Sequence, residues 1–269
     1  MNKTDIDWCD STWNPVTGCL HDCPYCYARG IAQRFKGFAA HQTNYRCITK
    51  PQKGSPNIVG YELDAPLKRI EIKTAKLVNA SYPFGFDPTL HRYRLTEPAK
   101  MKKPQIIFVG SMADLFGDWV PTSWIEEVFA ACAAAPWHTY LFLTKNPTRY
   151  IELAKEGLLP KQHYYGTTVT DHDTPYFWSD DYHTFISIEP LLRWDIIDAP
   201  RAETKPVDGI IIGAETGNRH GKVVPQKAWI DDITQCADDE GILVFYKKSL
   251  IPIVGVGNMR RELPCEVQE

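Results

Sequence analysis

From Gln105 onward the sequence alternates short apolar, β-rich runs with stretches of helical periodicity, and this rhythm restricts the fold more than any other feature. Gln105–Val109, Thr139–Leu143, Tyr164–Val169, Thr184–Ile188, Gly209–Ile212 and Ile242–Tyr246 are each four to six residues long. Such short, nearly continuous apolar runs are what strands buried on both faces require. Between them, Thr122–Ala135 carries Trp124, Ile125, Val128, Phe129 and Cys132 at helical spacing. Pro147 opens a second helix that stops at Gly157, and Lys227–Asp239 is amphipathic. Strands separated by helices imply right-handed crossovers and a parallel sheet. With 269 residues, 43% of them hydrophobic, the chain is long enough for one α/β domain over 1–269 built on six or seven strands. The expected architecture is a full or partial parallel (βα) barrel, with a doubly wound open sheet as the competing arrangement. No glycine-rich dinucleotide fingerprint follows the first strand, and there is no phosphate-binding P-loop.

The first hundred residues are less regular. Residues 4–16 read as a short strand and turn broken at Asn14-Pro15. Cys23-Pro24 is expected to open a helix striped by Ala28, Ile31, Ala32 and Phe35 and ended by Gly37. Residues 37–100 read as an irregular insertion after that first helix. It has loop chemistry over Lys50–Pro56, one strand over Leu67–Ile72, and breaks at Pro83, Gly85 and Pro88. Such an insertion is either a lid over the open side of a barrel or a wandering surface segment.

Between these parts lies Gly18–Tyr27, in which Cys19, Cys23 and Cys26 form a C-x3-C-x2-C triplet with Tyr25 directly before the third cysteine. Three thiolates on one short loop can hold three irons of a [4Fe–4S] cube and leave the fourth open to a chelating small molecule. The competing reading is zinc, with His21 or Cys9 as fourth ligand. Zinc sites usually come as two cysteine pairs, and Cys47, Cys132, Cys236 and Cys265 stand alone. No hydrophobic leader precedes the cysteines, and no apolar run approaches a membrane span. Together these lead us to expect a soluble, cytoplasmic protein with no membrane partner.

Charge is unevenly distributed. The net is −3 overall, but residues 29–103 carry fifteen Lys and Arg against five Asp and Glu, whereas 104–269 carry fourteen against twenty-four. A basic segment after the cysteine loop, with 8 Trp and 13 Tyr in the chain, tilts the expected partner toward a nucleotide or a base in nucleic acid. The bland alternatives are core aromatics and solvated charge; a small metabolite or a peptide are other candidate substrates.

Functional residues of a parallel barrel sit at the carboxyl ends of its strands. Those ends carry Ser111 and Asp114, Thr144 and Lys145, Thr170 and Asp171, Glu189, Gly213 and Glu215, and Lys247 and Lys248. One charged residue leaving a strand is usually just entering solvent. Six successive ends of this kind predict a polar rim able to hold a zwitterionic ligand and a polar substrate.

Several motifs together resemble one family. Trp13-Asn-Pro-Val-Thr-Gly-Cys19, Phe108-Val-Gly-Ser-Met-Ala-Asp-Leu-Phe116, Leu143-Thr-Lys-Asn-Pro147, Ile186-Ser-Ile-Glu-Pro-Leu-Leu192 and Gly213-Ala-Glu-Thr-Gly217 are similar to a phage-associated three-cysteine-motif family of uncharacterised function. That family is itself similar to the radical S-adenosylmethionine enzymes. The compact cysteine spacing, and Gly213-Ala214 in place of a glycine pair, depart from the family's usual pattern. The resemblance implies a radical-SAM-type barrel, cluster ligands at Cys19, Cys23 and Cys26, and Tyr25 beside the adenine of S-adenosylmethionine. It also implies an electron donor, a separate partner protein, and cleavage of S-adenosylmethionine to abstract a hydrogen atom from an unknown substrate. By analogy Ser111, Asp114 and Thr170 would bind the cofactor's amino group and ribose. Glu189, Glu215, Lys145 and Lys247 would be left for substrate or proton handling. The alternative class is a non-catalytic zinc-binding module, or an iron–sulfur protein used for electron transfer or sensing.

Overall fold

A computed structural model describes residues 2–50, 57–194, 207–217 and 219–265. The loop expected over 50–56 therefore lies, apart from residue 50, outside the described residues. The fold is α/β, built on a curled, seven-stranded, all-parallel sheet that forms half a barrel. Its strands are β1 (Ser11–Trp13), β2 (Ile106–Val109), β3 (Thr139–Thr144), β4 (Tyr164–Val169), β5 (His183–Ile188), β6 (Gly209–Ile212) and β7 (Leu243–Tyr246). They lie side by side in chain order, with the short strand Asn2–Lys3 outside β1. A doubly wound sheet reverses direction at an inner strand; a strictly sequential order is that of a barrel wound one way. The open-sheet alternative is thereby excluded.

The chain divides into two compact units. The second unit, Lys3–Ser11, Pro104–Phe108 and Trp137–Glu269, contains strands β3–β7 entire. Strand pleating sorts its side chains onto two faces. Ile186, Ile188, Ile210, Ile212, Val244 and Tyr246 pack with Ile230, Ile233 and Ala237 of the helix Lys227–Asp239. Phe108, Leu141, Phe185, Ile211 and Phe245 pack with Trp8 in a second cluster that contains no helical residue. The latter is the concave face. A Cβ on Gly166 would stand 2.3 Å from the Phe185 ring, so the absent side chain is what admits that ring.

The first unit comprises Met1–Asn2, Thr12–Lys103 and Val109–Pro136. Its helix Thr122–Ala133 buries Trp124, Ile125, Val128, Phe129 and Cys132, the stripe expected from spacing. The 37–100 region corrects the expectation of an irregular insertion. Val16–Thr17, Thr89–His91, Asn57–Leu63 and Arg46–Lys50 form a four-stranded sheet in that order, and Lys68–Ile70 pairs antiparallel with Leu77–Asn79 as a two-stranded ribbon. Tyr61 stacks on Phe84 with centroids 3.6 Å apart, and Arg92 binds both Glu62 and Glu127. Most of these strands are two to five residues long and all mix polar with apolar residues, so no apolar run announces them. Cys23-Pro24 does not open a helix either. Pro24-Tyr25 forms a turn closed by Cys26 N–H on Cys23 C=O (3.1 Å), and the helix runs Tyr27–Arg34. It ends before Gly37 and buries Ala28 and Ala32, while Ile31 and Phe35 are exposed.

Candidate functional site

The cysteine loop follows the carboxyl end of β1 and is fastened to the segment that follows β2. Gly110 N–H donates to Trp13 C=O and Gly18 N–H to Met112 C=O, both at 2.9 Å. The Asn14 carboxamide accepts from Met112 N–H at 2.9 Å and pairs with the Ser111 hydroxyl. Gly18 has φ +91°, and a Cβ there would lie 2.3 Å from the Asp87 carbonyl oxygen, so only glycine fits this point of entry. Beyond it, the Cys26 sulfur caps the helix by accepting from Arg29 N–H at 3.4 Å, and the Tyr27 hydroxyl donates to Ser111 C=O at 2.9 Å.

His21, between the first two cysteines, pairs its Nε2 with Asp114 Oδ2 at 2.7 Å and sets its ring edge-on to Trp119. Asp114 is buried, and its other oxygen accepts from Phe116 N–H at 3.0 Å. Burial pushes the Cys19 thiol up to about 12; a backbone hydrogen bond at His21 opposes this, and the charges of Asp114, Cys23 and Cys26 add to it. Such a thiol keeps its proton unless a strongly positive centre replaces it.

Three soft sulfur donors on one anchored loop, two of them packed against Ala28, Ala32, Phe86 and Met112, fit an iron–sulfur cluster in donor chemistry and in apolar surroundings. Among the described residues, no three His, Cys, Asp or Glu side chains are gathered into a metal-ion group. Of the two residues that would complete a zinc set, Cys9 packs in the second unit's concave cluster with its thiol directed at Ile6 C=O. His21 bonds Asp114 through Nε2, an arrangement that a metal-ligating histidine also uses, with Nδ1 as the ligating nitrogen.

In the second unit, strand parity places Lys145, Thr170, Glu189, Gly213 and Lys247 in step with the concave-face residues Leu141, Tyr164, Phe185, Ile211 and Phe245. Glu189 and Lys247 form an ion pair, both side chains mostly buried. Gly213 sits against both: a Cβ there would lie 3.0 Å from Lys247 Cδ and 3.2 Å from Glu189 Cγ. Glu215 is not part of this pair. Arg219 grips it through two bonds of 2.6 and 2.7 Å, and that hydrogen bonding holds its carboxyl below the usual range. Lys145 is half-buried at the end of β3. The Thr170 carbonyl accepts from Leu192 N–H at 2.9 Å, and its hydroxyl faces Asp171.

A family described as "Protein of unknown function (DUF5131)" matches residues 3–250, nearly the whole chain. The chain belongs to that family. No curated protein and no solved structure matches it. No helix among the described residues is long and apolar enough to cross a membrane.

Several residues at these sites of the DUF5131 chain escaped sequence reasoning. Local pattern marks Asn14 as a strand breaker and part of the Trp13–Cys19 motif and His21 as a candidate metal ligand, and it gives Arg219 no role. Ser187 was also missed. Its hydroxyl is fully buried with no hydrogen-bond partner among the described residues, two residues before Glu189 on the same strand face. Strand parity alone could have singled it out, as a polar residue in step with Phe185 and Glu189.

Proposed function

We propose that this DUF5131 chain is a radical S-adenosylmethionine enzyme. The observation that carries the reading is the cysteine loop: three cysteines within eight residues, on a segment that follows the end of the first parallel strand and is bonded to the segment after the second. In this reading Cys19, Cys23 and Cys26 hold a [4Fe–4S] cluster. Held there and reduced, a cluster would supply the one electron needed to cleave S-adenosylmethionine.

The chain's own residues do the rest. Asn14 and Ser111 brace the loop, and Tyr25 and Ser111 bind the cofactor. Asp114, held by Phe116 N–H, presents a carboxylate to the cofactor's amino group and to His21. Thr170 contributes a hydroxyl at the end of β4. The Lys247 ammonium and Glu189 carboxylate, joined in an ion pair, can exchange a proton with a bound substrate. Lys145 and Glu215 are assigned to substrate, Glu215 through its Arg219 partner.

The test is anaerobic reconstitution with iron and sulfide, followed by S-adenosylmethionine and a reductant. The expected result is a brown protein with about three cysteine-bound irons and one open iron per cluster, and 5′-deoxyadenosine detected by mass. A colourless protein that retains zinc, or cleavage by protein lacking the cluster, overturns the proposal.

A further inference from the structure

We infer that the ribbon Lys68–Ile70/Leu77–Asn79 is a groove-binding arm for double-helical DNA. Its root is fixed. Leu67 and Ala80 are fully buried, Ala80 N–H donates to Leu67 C=O at 2.8 Å, and the Gln42 carboxamide brackets the Lys68 peptide with two 2.7 Å bonds. Its outer part is bare. Ile70, Ile72 and Leu77 are 60%, 94% and 62% exposed, and Ile72 stands next to the turn closed by Glu71 and Lys76.

The charges on and beside the ribbon are available. Lys68, Arg69, Lys73 and Lys76 form no ion pair among the described residues; Lys68 meets only the Asn79 amide, and Arg69 lies over the Phe35 ring. That last contact ties the ribbon to the end of the helix Tyr27–Arg34. There Arg34 and Lys36 are exposed and likewise unpaired among the described residues. In the neighbouring sheet, by contrast, Arg46 and Arg92 are consumed by Glu62, Asp64 and Glu127.

Six cations without an ion pair among the described residues therefore run from the helix end to the ribbon tip, where the Glu71 carboxylate is bonded to Thr74, a track matched to a repeating phosphate backbone. A two-stranded ribbon has the width of the DNA major groove, whereas the A-form RNA groove is too narrow for it. An exposed isoleucine near the tip offers the apolar contact that a thymine methyl takes in that groove. The same helix is capped by Cys26 and its eight residues span about 12 Å, so the track starts one short helix away from the cysteine loop. The inference uses no step of the reaction proposed above, and DNA binding can fail or succeed independently of it.

The experiment is fluorescence anisotropy of the full chain with a labelled duplex of about two helical turns, across roughly 50 to 200 mM salt. Duplex DNA should bind with steep salt dependence and more tightly than duplex RNA. The Lys73→Gln/Lys76→Gln variant should bind about tenfold more weakly and lower the salt slope by about 2. Ile72→Ala should weaken binding several-fold. The control Lys155→Gln/Lys161→Gln, in the second unit, should change nothing. Salt-independent binding, an unaffected ribbon variant, or equally tight binding to anionic vesicles or polyglutamate would each overturn the inference.

Discussion

At the scale of single residues, Cys26 has two separable duties. Its sulfur caps the helix Tyr27–Arg34 through Arg29 N–H, and it is one of three candidate cluster ligands. A serine hydroxyl caps at least as well as a thiol but is a poor iron ligand. Cys26→Ser should therefore leave the stability of the metal-free chain within about 0.5 kcal/mol by urea denaturation. It should also abolish most of the iron retained after reconstitution, read by metal analysis. Equal loss of fold and of iron would mean that the thiol's role is structural. Glu215 shows where residue-level reading ran out. A carboxylate after a strand is visible in sequence, but the arginine that neutralises it four residues later was not expected to fold back.

At the scale of elements, the concave face of the sheet is decided by pleat and by one missing side chain. The boundaries Tyr164–Val169, Gly209–Ile212 and Lys227–Asp239 were legible residue for residue, because each is marked by a continuous apolar run or a helical stripe. What could not be read is that Gly166 accommodates the Phe185 ring across the β4–β5 pair. Gly166→Ala should force that ring aside and destabilise the chain by about 1–3 kcal/mol, measured as a lower urea midpoint with unchanged m-value. The small sheet in 37–100 was illegible for the opposite reason. Its strands carry polar and half-exposed residues, and their partners are set by a central strand, Asn57–Leu63, that pairs antiparallel on one side and parallel on the other.

At the scale of the whole molecule, buried ionisable groups set the acid limit of the fold. Burial lowers His163 from 6.5 to about 4, against a smaller backbone hydrogen-bond effect at Gln162, and burial holds His91 well below 6.5. The unfolded chain takes up these protons near pH 6.5 and the folded chain does not, so stability falls as the pH drops from there toward 4. Burial alone would raise Glu62, but hydrogen bonds from Arg92, Trp124 and Arg46 outweigh it and hold the carboxyl at about 2. The stability this contributes is present above 4.5 and is lost as the pH falls from there to about 2. Urea midpoints should thus decline in two stages, with His163→Phe flattening the first and Glu62→Gln the second. A midpoint level from pH 7 to 4 in the parent chain would contradict the histidine assignment.

Periods of two and of 3.6 residues and ligand spacings are properties of neighbours along the chain, so the parallel strands, the helices between them and the triplet of cysteines are all legible in the order of the residues. Tertiary structure alone decided the one-way strand order and the half-barrel, the ordering of the 37–100 region into sheet, and the partners of the charged groups. His21 meets Asp114 across 93 positions, and Glu189 meets Lys247 across 58. Such pairings depend on how loops close and which faces are buried, and no local pattern records either.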